Sequence, residues 1–354
     1  MIEKNRDIYI DVVKGIGIFS IVIGHASWDI SIGDRVLHIG QFVYLYHLAI
    51  FAFCSGYLFK DPSDFWGYLG KKLKNFYRPF MVYSLLYLVT RNFLIDLFIV
   101  DGTKYTLDQN IITFANLLAF NSLGEMLSAF WFIPMLFFAL GIFCAIHIWT
   151  KNIRNSSVHK CTKIILFLGF GILGIYCMEH KMGLLCNLQV SFLFIPIMAI
   201  GYYSRKFNWL RIVNSLGLII SFGIMVLLIY KKNVMIELSR YQIGGKWIYY
   251  PVTALGIYFC LALSKMVLEN KKVGAVFAKM GRYSFDIMAL HFFAFKIVDQ
   301  VACRVINDRE KLNLFPHSYV ALWPIYYVVG IALPILCKWM FENIKNSCSI
   351  KSKI

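Results

Sequence analysis

Long apolar stretches separated by short polar ones set the pattern of this chain. Runs of about 17–25 residues, enough to cross a bilayer as a helix, begin near residues 8, 41, 79, 130, 162, 187, 210, 249, 283 and 320. The pattern predicts an all-α integral membrane protein with about ten transmembrane helices. They form one domain over residues 1–354 with no soluble appendage. The run at 188–203 is short and holds Pro196, and the first run carries Asp11 and Lys14. Those charges, with no A-x-A-like site after them, favour a retained helix over a cleaved signal. The longest connector, 101–129, holds a short apolar piece from Ile111 to Phe120. It is too short to cross and suits the interface or a re-entrant turn.

Composition removes the soluble alternative. Hydrophobic residues make up 59% of the chain and charged residues 16%, against about 45–50% and about 25% in soluble chains. The net charge of +17 would suit nucleic acid if it were gathered on one surface, but it follows the loops instead. About 23 of the 36 Lys and Arg fall at the termini and in alternate loops, which places both termini in the cytoplasm. Residues 231–248 are the exception, with Lys231, Lys232, Arg240 and Lys246 on the outer side. The nine Cys form no C-x-x-C pair, and most sit inside apolar runs, as reduced packing residues do. Neither a disulfide framework nor a metal site is expected.

Ionisable residues inside such runs are the candidate chemistry, because each costs about 2.5–3.5 kcal/mol at the bilayer centre. The first run reads DVVKGIGIFSIVIGH from Asp11 to His25. Lys14 and His25 are eleven residues apart, which puts them on one helix face and roughly 16 Å apart along the axis. Asp11 and Lys14, at i and i+3, can neutralise one another. The second run carries His47 in its outer half and Ser55-Gly56-Tyr57 at its inner end. Antiparallel packing brings His47 and His25 to similar depth, where desolvation favours the neutral imidazole that a general base needs. Equally, His47 fits a hydrogen-bonded core residue, and Ser55-Gly56-Tyr57 a closely packed helix end.

His291 stands mid-run in GRYSFDIMALHFF, five residues after Asp286 and five before Lys296. Arg91 and Lys296 are read as structural pairs, and Trp131 as an interfacial anchor. Lys71, Lys72, Lys74 and Arg78 lie beside the membrane in the 60–78 loop. The positive-inside bias explains them, as would a polyanionic donor or anionic lipid. Two motifs are decoys. Gly169, Gly171 and Gly174 spell G-x-G-x-x-G inside an apolar run, where close helix packing explains them. Asn155-Ser156-Ser157 spells a glycosylation sequon on the cytoplasmic side.

Taken together, KGIGIFSIVIGH, YHLAIFAFCSGYLF with KKLKNFYRPF, and FWFIPMLFF with GRYSFDIMALH resemble the integral-membrane acyltransferase 3 family. That family acylates sugars and envelope polymers. Lys14 stands where many members have Arg, and Ala49 where Pro is usual. The chain looks more like the stand-alone sugar O-acetyltransferases than the members with a hydrolase-like domain.

The resemblance implies that His25 is the essential histidine, as general base or transient acyl carrier. It implies that Lys14 lines the donor path and that His47, Ser55 and Tyr57 shape the core. Asp11 and His291 complete the candidate catalytic group, and Ser55 and Tyr57 are counted with the donor-binding residues. The expected donor is cytosolic acetyl-CoA or another acyl-CoA, its phosphates held by Lys71, Lys72, Lys74 and Arg78. The expected acceptor is a sugar or cell-envelope glycan, and the location the cytoplasmic membrane. Two other classes remain open at this point: a secondary transporter, and a non-catalytic membrane module for polymer assembly. Against the transporter, the two halves show no matching pair of Gly/Pro-broken segments.

Overall fold

The computed structural model describes residues 7–26, 29–32, 35–121, 123–307 and 315–351. Lys4, Arg6 and Lys353, counted above for orientation, lie outside these residues. Helix α1 (Ile8–His25) starts where Asp7 accepts hydrogen bonds from the backbone of Tyr9 and Ile10. A short hairpin of β1 (Asp29–Ile32) and β2 (Arg35–His38) follows. Next come α2 (Ile39–Tyr44), α3 (Ala49–Tyr57), α4 (Phe65–Asp96) and α5 (Leu107–Leu118). A 3-10 turn over Glu125–Trp131 leads into α6 (Phe132–Lys151), α7 (Ser156–Glu179), α8 (Leu188–Lys206) and α9 (Ser215–Lys232). A second hairpin, β3 (Ile236–Glu237) with β4 (Gln242–Ile243), precedes α10 (Tyr249–Glu269), α11 (Lys271–Arg282), α12 (Ser284–Ile306) and α13 (Trp323–Lys351).

Among the described residues, eight segments are both long and apolar enough to cross a membrane. They match eight of the ten expected runs. The other two expected runs are also helices: α4 has 32 residues and α12 has 23. Their polar residues lower the hydropathy and are taken up inside the protein. Asp286 of α12 accepts from Tyr83 Oη of α4 at 2.6 Å and pairs with Lys338 of α13 at 3.4 Å. Lys296 pairs with Asp299 at 3.1 Å. Arg91 donates to the Thr103 carbonyl at 2.8 Å and lies 3.7 Å from the ring centroid of Tyr105.

Layering follows burial. Two thirds of the crossing windows of α1, α2–α3, α6 and α8 are buried, against 17% for α9 and α13. The inner helices therefore form a core that the outer ones screen from lipid. At the centre, α1 packs most closely on α11. A Cβ on Gly15 would lie 2.0 Å from the Phe277 carbonyl oxygen, and one on Gly281 would lie 1.8 Å from that of Asp11. Backbone contact this close admits only glycine.

Two local expectations change, and a third is made specific. The 60–78 segment is mostly helix, the first half of α4, so its basic residues sit on a rigid rod that continues through Pro79. The second crossing segment is broken at residues 45–48 between α2 and α3. There the Val43 carbonyl accepts from the backbone of both Tyr46 and His47 and from His47 Nδ1, which draws the turn tight. The short piece after residue 106 is α5, capped by Thr106 and Gln109. Leu107, Ile111, Phe114 and Leu118 line its exposed stripe, as a helix lying in the interface requires.

Both decoys have structural reasons. Asn155 caps α7 by accepting from Ser157 and Val158. Gly171 and Gly174 meet Pro196 and Leu193 of α8, while Gly169 faces open space.

Candidate active site

The polar face of α1 ends at His25, and α12 brings His291 to meet it. His25 Nδ1 lies 2.8 Å from His291 Nε2, with the ring planes only 12° apart and the centroids 5.0 Å apart. That is the geometry of two imidazoles joined edge to edge. The other nitrogen of His291 settles the proton positions. His291 Nδ1 faces the carbonyls of Ile287 at 3.1 Å and Met288 at 2.9 Å. Carbonyl oxygens only accept, so Nδ1 carries the proton. In the neutral ring Nε2 is then an acceptor and must receive Nδ1–H of His25. The lone pair of His25 is left on Nε2. His291 is fully buried, whereas His25 is part-exposed, so the buried ring holds the open one.

His25 and His47 both line a cavity of about 560 Å³. His47 donates Nδ1–H to Val43 at 3.2 Å, which leaves its own Nε2 as an acceptor. Trp131, Phe132, Phe292 and Tyr44 give the cavity an aromatic lining. Two connectors also reach it, one through Glu237 and the exposed Arg240, the other through Phe315 to His317. The second connector is fastened to α12 by the buried carboxylate of Asp299. That group accepts from Ser318 N at 3.1 Å, from Ser318 Oγ at 3.2 Å and from Tyr326 Oη, besides pairing with Lys296. Burial, opposed by the nearby carboxylate of Asp299, holds the His317 imidazole below its ordinary pKa.

The other expected residues lie elsewhere. Lys14, half-buried on α1, is toward the opposite end of that helix from the cavity. The expected Asp11–Lys14 pair does not form: among the described residues Lys14 makes no salt bridge, and Asp11 is buried where α1 meets α11. Lys72 instead comes close to Lys14. Partial burial, and then the charges of Lys14 and Lys71, push its ammonium below the ordinary lysine pKa. Lys71, Lys74 and Arg78 are exposed on the neighbouring face of α4. Gly56 carries the α3–α8 crossing, since a Cβ there would lie 1.9 Å from the Met198 carbonyl. This supports the packing reading of Ser55-Gly56-Tyr57, and Tyr57 enters it through its carbonyl, 3.5 Å from Arg205 Nη1. Among the described residues no group of His, Cys, Asp and Glu is placed to hold a metal ion.

Trp131, Tyr44, Glu237, Arg240 and His317 were not foreseen as cavity residues. The sequence alone reads Trp131 as an interfacial anchor, and His317 lies in a connector with no periodicity to read. Only the loop of Arg240 carried a signal, its breach of the positive-inside bias.

Residues 7–341 match the Acyl_transf_3 family, described as an acyltransferase domain, and the chain belongs to that family. No curated protein and no solved structure matches it.

Proposed function

We propose that this membrane acyltransferase moves an acetyl group from acetyl-CoA to a hydroxyl of a sugar or cell-envelope glycan. The observation that carries the reading is the His25–His291 bond, which leaves one imidazole lone pair beside an aromatic cavity. In the proposed step, His25 Nε2 takes the proton of the acceptor hydroxyl as its oxygen attacks the thioester carbonyl. The C–S bond breaks, CoA leaves as thiolate, and the proton returns to it. The products are the acetyl ester and free CoA. The Nδ1–H that His25 gives to His291 keeps the ring in the basic tautomer and supports the imidazolium formed in transit.

Lys14 and Lys72 supply paired positive charge toward the other end of α1, suited to the donor's phosphates. Lys71, Lys74 and Arg78 would attract the donor to that face. The pantetheine arm would then run beside α1, along the roughly 16 Å between Lys14 and His25. With both chain ends cytoplasmic, the donor is cytosolic and the cavity opens to the other side of the cytoplasmic membrane.

The test uses proteoliposomes with radiolabelled acetyl-CoA and a glycan extract. Label should reach glycan with the native protein and not with His25→Ala at equal folded protein. Equal transfer by both would remove His25 from the chemistry. Uptake of solute without acetyl-CoA would replace the transferase by a transporter. Label retained on histidine without acceptor would replace the one-step route by an acyl-enzyme.

A further inference from the structure

Acyl transfer alone leaves the charge at the cavity rim unexplained. Residues 231–248 carry Lys231, Lys232, Arg240 and Lys246 against one acid, Glu237. Basic residues on the side away from the other loops run against membrane topology, so their presence calls for another cause.

The segment is also held in place. Gln41 of α2 donates to Asn233 Oδ1 at 2.9 Å and to the Val234 carbonyl at 3.1 Å. The β3–β4 ladder then closes the loop around a turn at Leu238–Arg240. Arg240 and Glu237 therefore sit on a braced rim of the cavity that His25 and His47 line.

The pair itself shows which partner is wanting. Arg240 Nε meets Glu237 Oε1 at 3.1 Å, and the arginine side chain is 73% exposed while the glutamate side chain is 16% exposed. Glu237 thus orients the guanidinium through Nε and leaves the two terminal nitrogens for a ligand. Such a fork matches the two oxygens of a carboxylate or phosphate. We infer that Arg240, oriented by Glu237, is a specificity-determining residue that reads an anionic group on the acceptor. The acceptor is then a carboxylate- or phosphate-bearing saccharide. The inference rests on the transferase reading for the identity of the cavity.

The protein in nanodiscs, titrated at low salt and followed by tryptophan fluorescence, tests it. Trp131 lines the cavity and reports occupancy. The probes are glucuronate, glucose 6-phosphate and glucose, and whichever anion binds identifies the group that is read. At least one anion should bind about tenfold tighter than glucose, and Arg240→Gln should erase that advantage. Arg240→Lys should restore only part of it, because charge returns without the fork. Glu237→Gln should tighten anion binding several-fold, roughly, since a competing carboxylate is gone; a merely structural pair would not give that sign.

Glucose binding as well as either anion, an unchanged preference in Arg240→Gln, or no binding of any probe would overturn the inference. Acetyl-CoA binding is measured on the same nanodiscs. Donor binding without anion preference removes the subsite and leaves the transferase. Anion preference without donor binding upholds the subsite and removes the transferase.

Discussion

His25 Nδ1 and His291 Nε2 meet at 2.8 Å across 266 residues of sequence. Because His291 Nδ1 is committed to the carbonyls of Ile287 and Met288, the bond has one polarity. Of these two rings, only that of His25 keeps a free basic nitrogen, and it lines the cavity.

A side chain that accepts where His291 Nε2 accepts should therefore preserve function better than one that merely fills space. Loss of the base in His25→Ala should lower turnover by about 10²–10⁴-fold. His291→Ala frees the tautomer of His25 and should cost at least about tenfold more than His291→Gln, whose carbonyl oxygen can take the Nδ1 proton. Initial rates at equal folded protein decide this. Equal rates for the two His291 variants would show that the ring only fills volume.

Asp299 works at one remove. It fastens Ser318 and Tyr326, and through them the connector that carries Phe315 to His317 to the cavity. Asp299→Ala should raise the KM for acceptor more than it lowers kcat, and lower stability by about 3–5 kcal/mol, because it also removes the carboxylate paired with buried Lys296. Asp299→Asn, which keeps one accepting oxygen, should fall between. A change in kcat alone would place Asp299 in the chemistry instead of the connector.

Much of this arrangement was legible in the sequence because helical periodicity is. The 3.6-residue period puts Lys14 and His25 on one face of α1, and apolar run lengths located the crossing helices. The His25–His291 bond was not legible, since a period says nothing of which helix lies opposite. The break at residues 45–48 was hidden for a related reason. It depends on how Val43 shares its carbonyl, and an apolar run looks the same broken or whole. The missing Asp11–Lys14 pair shows the converse error: i,i+3 spacing permits a contact, but α11 occupies the Asp11 side of the helix. Arg240 and His317 reach the cavity from connectors, where side-chain placement is set by tertiary anchors such as Gln41 and Asp299 rather than by spacing.

The crossing of α1 with α11 should be intolerant of even one carbon. Gly281→Ala would put a methyl 1.8 Å from the Asp11 carbonyl oxygen, forcing α1 and α11 apart at a cost of about 1–3 kcal/mol or more. Gly169→Ala meets nothing within 4 Å and should be neutral or stabilising by up to about 1 kcal/mol. Thermal unfolding in detergent should show a lower Tm for the first and no loss for the second. Similar losses for both would mean that Gly169 also has a packing role.

The basic end of α1 gives a pH dependence with a definite sign. The Lys72 ammonium is held below its ordinary pKa by burial and by the charges of Lys14 and Lys71. For a lysine lowered in this way, the charged form is strained in the free protein and is relieved when an anion binds. Donor affinity should then be steady while Lys72 is protonated and fall as pH rises through its lowered pKa, before the usual lysine value of about 10.4. Lys72→Arg stays charged throughout and should remove the fall within that range. Lys72→Met should bind acetyl-CoA weakly at every pH. Equilibrium binding of labelled acetyl-CoA across alkaline pH distinguishes the three. An identical decline in native protein and Lys72→Arg would assign the titration to another group and take Lys72 off the donor path.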